Sequence, residues 1–452
     1  MRDLSTVVKA YDVRGVVPDE LDEDVARRVG AGFARFTGAS EIVVGHDMRT
    51  SSVPLSAAFA EGVTSQGADV VVIGLASTDL LYFASGRLDR PGAMFTASHN
   101  PARYNGIKLC RAGAAPVGQE SGLREVRRLA EQGVAPAAGP SGQIRARDML
   151  GEYARYLHEL VDITAIRPLK VVVDAGNGMA GLTVPRVFEG LPIELTPMYF
   201  ELDGSFPNHE ANPIDPANLC DLQGEVRAVG ADIGLAFDGD ADRCFVVDER
   251  GEVVSPSVLT ALIAARELRK HPGAPVIHNL ITSRAVPEIV RENGGVPIRT
   301  RVGHSFIKGE MARTGAIFGG EHSGHFYFQR FWRADSGMIA ALHTLAALGG
   351  QAEPLSRLLA RYSRYTASGE INSTVPDQQA KMDEIGELYA RRGGCTADRL
   401  DGLTIDSGTW WFNVRPSNTE PLLRLNVEAP DRPTMERVRD EILGLIRGET
   451  SS

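Results

Sequence analysis

Two hydrophobic periods alternate along the chain. Between Leu21 and Phe36 the apolar positions Val25, Val29 and Phe33 share one helical face that ends at Gly38, and EIVVGHD (41–47) follows as a short apolar run. A helix and then a buried strand are expected there. The alternation returns with a helix near 52–66 and DVVVIG (69–74), then with KVVVDAGNG (170–178), a helix near 217–229 and DIGLAFDGD (232–240). A third round has a helix over 257–270, APVIHNLIT (274–282), a helix near 284–293, VPIRTRVG (296–303), a helix near 305–314 and AIFGGEHSG (316–324). Apolar strands separated by helices predict parallel α/β layers, here three similar segments in a row.

The C-terminal part has a different pattern. EINSTV (370–375), a helical QQAKMDEIGELYARRG (378–393), LTIDSGTWWFNVRPSN (403–418), LLRLNVEA (422–429) and a helix near 434–447 predict strands with helices on one side, an α+β unit. Breaks are expected in EQGVAPAAGPSGQ (131–143), RGEVV (250–254) and SRYTASG (363–369), the last a candidate hinge. The expected domains are therefore 1–145, 146–252, 253–366 and 367–452.

Composition narrows the class. With 452 residues, 43% hydrophobic and 23% charged, the chain is globular and long enough for several cores. It has no apolar run of about 18 residues, and MRDLSTVVKAYDVRG lacks the pattern of a signal peptide, so a cytoplasmic location is expected. Cys110, Cys220, Cys244 and Cys395 are scattered without a C-x-x-C pair, which suggests neither a disulfide framework nor a zinc cluster. A net charge of −10 argues against nucleic acid and anionic membranes as partners. A small anionic substrate remains compatible, since a few arginines and lysines gathered in one cleft override the global sign locally.

The candidate chemistry begins at FTASHNP (95–101), which sets the Ser98 hydroxyl beside His99. Without the flanking glycines of G-x-S-x-G, an acyl-transfer nucleophile is disfavoured. A loop serine can instead carry a phosphoryl group, if a divalent cation and cationic side chains neutralise the charge. DGDADR (238–243) follows an apolar strand, and its turn would gather Asp238, Asp240 and Asp242 as hard oxygen ligands suited to Mg²⁺. An EF-hand loop is the rival reading, with Glu249 at its twelfth position, but its sixth position holds Arg243 instead of glycine. In GGEHSGH (319–325) Glu321, Ser323 and His325 alternate, so on an extended segment they would face one side and grip sugar hydroxyls; zinc on His322 and His325 is the alternative. RPSNTEPLLR (415–424) combines the Arg415 guanidinium with Ser417, Asn418 and Thr419, a set able to cradle phosphate, although N-T-E-P is also an ordinary turn.

In order, KAYDVRG (9–15), TASHNP (96–101), DGDADR (238–243), GEHSGH (320–325) and RPSNTEP (415–421) resemble the ligand loops of the α-D-phosphohexomutase superfamily, near its bacterial phosphomannomutase/phosphoglucomutase group. The resemblance spans essentially the whole chain. It implies three related α/β domains and a C-terminal α+β domain around a central active-site cleft. It also implies a phosphoserine enzyme that interconverts mannose 6-phosphate and mannose 1-phosphate, and the glucose pair as well, through a hexose 1,6-bisphosphate that also acts as activator. Ser98 would carry the phosphoryl group, and Mg²⁺ held by Asp238, Asp240 and Asp242 would bind an oxygen on Ser98. Arg243 would hold that phosphate, and Lys108 or His325 would move the proton, which requires either to be neutral near pH 7.

By the same resemblance Tyr11, Arg14 and His99 line the first-domain side, and Glu321 and Ser323 bind the sugar's 3- and 4-hydroxyls. Arg415, Ser417, Asn418 and Thr419 hold the non-reacting phosphate, and His304 and Lys308 add third-domain contacts. One departure stands out: relatives carry a lysine where HNLITS (278–283) has Ile281, and Arg284 is expected to substitute in part. The implied partners are a hexose phosphate and, at most, a second copy of the chain. A phosphoglucosamine mutase, a non-catalytic sugar-phosphate-binding protein and a metal-dependent sugar phosphatase are the other readings.

Overall fold

A computed structural model of the chain describes residues 2–448 apart from Thr164 and 418–421, with the side chains of His304 and Ser305 also outside the description. Four sheets follow one another along the chain. In the first, Glu41–His46 pairs in parallel with Asp69–Leu75 and Gly92–Phe95, and Tyr104–Arg111 then runs antiparallel to Gly92–Phe95. The second repeats this plan: Leu169–Asp174 lies parallel to Ile193–Met198 and Ile233–Phe237, and Cys244–Asp248 returns antiparallel. In the third, Pro275–Asn279 is parallel to Val296–Thr300 and Phe318–Gly320, and Phe326–Phe328 returns antiparallel. The expected α/β architecture is present three times.

The antiparallel returns are the main difference from the purely parallel layers expected. Six residues separate Phe237 from Cys244, and a parallel crossover needs about a dozen, so only a hairpin can join those strands. The consequence is functional. Each motif loop, 96–103, 238–243 and 321–325, is the turn between a parallel strand of its sheet and the antiparallel strand that returns beside it. Ligand loops of open α/β sheets lie at such carboxyl ends.

A single large core joins the first three units. It includes Leu81 and Met94 from the first, Val173 and Phe237 from the second, and Leu262, Phe318 and Met338 from the third, all essentially buried. The three hairpin turns are therefore carried on one rigid body. The C-terminal unit has its own core, with Ile385, Phe412, Leu425 and Ile442, under an antiparallel sheet. There LTIDSGTWWFNVRPSN divides into the strands Leu403–Asp406 and Trp411–Pro416, paired antiparallel around a Ser407–Gly408 turn that period-two reading runs through. Helix Gly337–Gly349 is buried on every side, so it has no polar face by which the sequence could mark it.

Candidate active site

Strand Gly92–Phe95 aims the 96–103 turn across its sheet edge. Within that turn Ser98 adopts φ 51°, the left-handed region that side-chain-bearing residues rarely enter, and its N–H donates to Thr96 Oγ1 at 2.9 Å. Its hydroxyl donates to Asp238 Oδ2 at 2.7 Å, across the junction with the second domain. Gly239 permits this approach, because a Cβ there would stand 2.5 Å from the Ser98 carbonyl oxygen.

Asp238, Asp240 and Asp242 are all buried, and each offers a carboxylate oxygen within 4.8 Å of the others. Cations surround them. Arg243 donates from Nε and Nη2 to Asp238 Oδ2 at 2.9 and 2.8 Å, and Lys108 Nζ donates to Asp240 Oδ2 and Asp242 Oδ2 at 2.6 Å each. Helix Thr78–Leu88 points its N-terminus at the same turn: the Thr78 N–H reaches the Asp240 carbonyl at 3.0 Å and its hydroxyl reaches Asp240 Oδ2 at 2.6 Å. The positive end of that helix dipole favours the gathered negative charge. Oδ1 of Asp240 and Oδ1 of Asp242 are nevertheless buried without a hydrogen-bond donor among the described residues. Two orphan acceptors beside a third carboxylate fit a small hard cation such as Mg²⁺. The turn joins strand Ile233–Phe237 to strand Cys244–Asp248, whereas an EF-hand loop lies between two helices.

The local field sets the charges. Burial raises Asp238 above the usual carboxylate range despite Arg243, with Asp242 and Asp240 adding to the rise. Burial acts the same way on Asp240, but Lys108 outweighs it and holds that carboxyl low. Lys108 shows the reverse of what sequence reasoning required. Burial works against its ammonium, yet Asp240 and Asp242 dominate and keep its pKa well above the ordinary lysine value. In this arrangement Lys108 is a cation, not a neutral base.

A cleft of about 590 Å³ opens over Ser98 and brings half of the expected residues together: besides Ser98, Tyr11, Arg14, His99, Lys108, Asp242, Arg243, Lys308 and His325 line it. Arg14 donates to Asn100 Oδ1 at 2.5 Å, so it braces the serine turn. His99 Nδ1 lies 2.6 Å from Arg243 Nη2, and burial together with Arg243 pushes its pKa down to about 2, so the ring is neutral. His325 Nδ1 meets Asp335 Oδ2 at 3.0 Å; burial alone would lower its pKa, but Asp242 and Asp335 raise it. Lys308 is buried, pairs with Asp335 Oδ1 at 2.8 Å and covers the Tyr82 ring at 4.4 Å. Asp335 and Thr78 were missed from the sequence. Their neighbours there, RADSG and ASTDL, carry no motif; Thr78 gains its role through distant Asp240 and Asp335 through His325 and Lys308 of its own domain.

Other expectations are corrected. Residues 321–325 form a turn and not an extended segment, closed by the Glu321 N–H on the His325 carbonyl at 3.0 Å. Glu321 therefore faces the third-domain scaffold, accepting from Tyr327 Oη at 2.8 Å and from the Gly303 N–H at 3.1 Å, while Ser323 sits in the middle of the turn. His322 turns towards Ser257 Oγ at 3.3 Å, away from His325. Arg284 does not reach the cleft. Its guanidinium holds Asp406 Oδ1 of the C-terminal domain at 2.6 Å, and its N–H donates to Glu428. Arg415 donates to Glu370 Oε2 at 2.6 Å, and Arg424 donates to Ser417 Oγ at 3.4 Å, both outside the residues lining the cleft. Asn418 and Thr419 lie outside the described residues, as does the side chain of His304, whose backbone begins helix His304–Thr314.

Comparison with known proteins agrees with this geometry. Four profiles of one family, phosphoglucomutase/phosphomannomutase, match in succession: alpha/beta/alpha domain I over residues 5–133, domain II over 151–251, domain III over 256–365 and the C-terminal domain over 370–445. The chain belongs to the phosphoglucomutase/phosphomannomutase family. It is accordingly an intramolecular phosphotransferase of the isomerase class. It is 41% identical over 443 residues to a Xanthomonas campestris pv. campestris protein named phosphohexose mutases, covering 97% of this chain and 99% of the relative. A phosphomannomutase of Escherichia coli strain K12 is 39% identical over 454 residues, covering 98% and 99%. The crystal structure of a phosphoglucomutase/phosphomannomutase family protein from Burkholderia thailandensis superposes with a TM-score of 0.89 at 32% identity, covering 99% of this chain and 98% of that one.

Proposed function

We propose that the chain interconverts mannose 6-phosphate and mannose 1-phosphate, and the corresponding glucose phosphates, through a phosphorylated Ser98 and a hexose 1,6-bisphosphate. The observation that carries this reading is the Ser98 hydroxyl 2.7 Å from Asp238, in a cleft lined by Asp242, Arg243 and Lys108, with Asp238 and Asp240 grouped beside Asp242. Phosphoryl transfer needs positioning and charge neutralisation above all, and this set supplies both.

Asp238, Asp240 and Asp242 would hold Mg²⁺, which when bound supplies a Lewis acid for a phosphoryl oxygen. The protein's own groups do the rest. As the phosphorus–oxygen bond to Ser98 breaks, a new one forms to the sugar hydroxyl, and Arg243 and Lys108 face the negative charge that spreads over the transferring group. The hydroxyl proton passes to His325, whose Nδ1–H donates to Asp335 and leaves Nε2 as the basic atom. A proton returned to Ser98 Oγ restores the O–H that bonds Asp238. The bisphosphate turns in the cleft, and the same steps reversed return the other phosphoryl group to Ser98. Tyr11, Arg14 and His99 orient the reacting end. Arg415, Ser417, Asn418 and Thr419 take the non-reacting phosphate once Glu370 releases Arg415.

The test is a Mg²⁺-dependent mutase assay on mannose, glucose and glucosamine 1-phosphates with a trace of hexose 1,6-bisphosphate. Comparable turnover of mannose and glucose phosphates, with little of glucosamine phosphate, is expected. A preference for glucosamine phosphate would overturn the substrate, and steady release of inorganic phosphate would overturn the transferase reading in favour of hydrolysis.

A further inference from the structure

We infer that Arg49 is the positioning residue of the Ser98 turn, and that a second-domain loop, 203–206, clamps it there. The inference rests on the phosphoserine reading given above. Arg49 follows strand Glu41–His46, which lies in parallel beside Gly92–Phe95, so the sheet order sets it directly beneath the serine turn. It is 1% exposed, and all of its guanidinium donors are used. Nη2 donates to the carbonyl oxygens of Ser98 at 2.9 Å and Asn100 at 2.7 Å; Nη1 donates to those of Pro101 at 2.9 Å and Tyr104 at 3.0 Å. Nε donates to buried Asp47 Oδ2 at 3.2 Å.

Four convergent carbonyls from residues 98 to 104 describe a turn wrapped around one planar cation. A compact loop of this kind presents carbonyls inward and has no internal ladder to satisfy them, so the guanidinium takes the place of secondary structure. It also opposes relaxation of Ser98 out of its left-handed φ of 51°. Aspartate 47 is fixed in turn by the Ser52 hydroxyl at 2.6 Å and by the Arg49 N–H at 3.0 Å.

The other face of Arg49 is closed by the second domain. The Phe206 ring centroid lies 5.0 Å from its Cζ, and a Cβ on Gly204 would come within 2.5 Å of the Arg49 Cα. Phe206 is itself held at φ 53°. The Ser98 turn is therefore gripped by Asp238 and Gly239 at its reacting end and by Arg49 under the 203–206 loop at its base. Arg49 does not line the cleft and hydrogen-bonds to none of Asp238, Asp240 and Asp242, so its effect should fall on the rate of transfer and not on sugar binding.

The experiment compares wild type, Arg49→Lys and Phe206→Leu in two measurements: the rate at which glucose 1,6-bisphosphate and Mg²⁺ phosphorylate Ser98, and the KM and kcat of the mutase reaction. Arg49→Lys keeps the charge beside Asp47 but loses the fork, and misplacement of a nucleophile by about 1 Å can cost on the order of 100-fold. The expected result is a fall of about 10- to 100-fold in Ser98 phosphorylation and kcat, with KM within about threefold of wild type. Phe206→Leu, which leaves every hydrogen bond in place, should show the same kcat-only pattern at smaller size. If wild type phosphorylates Ser98 and both variants match it, or if KM alone changes, the inference fails. If Arg49→Lys does not fold, Phe206→Leu decides. Absence of Ser98 phosphorylation in wild type would instead remove the phosphoserine reading itself.

Discussion

Arg243 illustrates how charge balance at the site depends on single residues. Three buried carboxylates face buried Arg243 and partly buried Lys108, and Arg243 alone neutralises Asp238 with two donors on one oxygen. Removing one partner of a buried pair costs about 3–5 kcal/mol, because an uncompensated charge stays inside. Arg243→Met should therefore lower the unfolding free energy of metal-free protein by that amount in urea denaturation. A divalent cation replaces missing positive charge, so the variant should gain more stability from added Mg²⁺ than wild type does. Equal gains would contradict the assignment of the metal to these aspartates. The aspartates, Arg243 and Ser98 were legible from sequence because D-x-D-x-D after an apolar strand and T-A-S-H-N-P are local signals. Asp335, Thr78 and Arg49 were not: Thr78 and Arg49 act on atoms far away in the chain, and Asp335 meets His325 and Lys308 only through the way the third domain folds. The charge of Lys108 was misjudged for a related reason: its field comes from Asp240 and Asp242, more than a hundred residues later.

Among elements, the loops that follow parallel strands do the positioning. Strand Leu169–Asp174 ends in Asp174, whose Oδ2 meets His209 Nε2 at 2.9 Å and whose Oδ1 accepts the Gly176 N–H at 2.8 Å. This pins the 203–213 loop, the same segment that closes over Arg49. The bond to Asp174 raises the His209 pKa above the ordinary histidine value, against partial burial. A raised folded-state pKa gives a contribution that is full below the unfolded value of about 6.5 and is lost as pH rises through the folded value. The stability difference between wild type and His209→Gln should hence be larger at pH 6 than at pH 8, read by chemical denaturation. A difference that grows with pH would refute the pairing. The alternation of helices and apolar strands was readable because buried parallel strands are continuous hydrophobic runs bounded by turn residues. Strand direction was not, although the six-residue spacing across 238–243 already required a hairpin. The extended reading of 321–325 failed because period-two alternation holds equally in a short polar turn.

Across the whole molecule, one shared core fixes the three hairpin turns while the C-terminal domain keeps a core of its own, joined by polar contacts. Arg284 to Asp406 is one such contact, and the Val302 N–H to Asp401 Oδ2 at 3.1 Å is another. Among the described residues no helix is long and apolar enough to cross a membrane. Since Arg284 links the domains and stands outside the cleft, Arg284→Ala should raise KM for hexose phosphate several-fold while Ser98 phosphorylation by bisphosphate keeps its rate. An unchanged KM would show that the link has no part in substrate capture. The central claim is that Ser98 carries the phosphoryl group, and peptide mass spectrometry after incubation with glucose 1,6-bisphosphate and Mg²⁺ tests it most directly. The expected result is one phosphate on Ser98, none in Ser98→Ala, and a loss of mutase turnover of more than about 10³-fold in that variant. Phosphate on another residue, or near-normal turnover by Ser98→Ala, would contradict it.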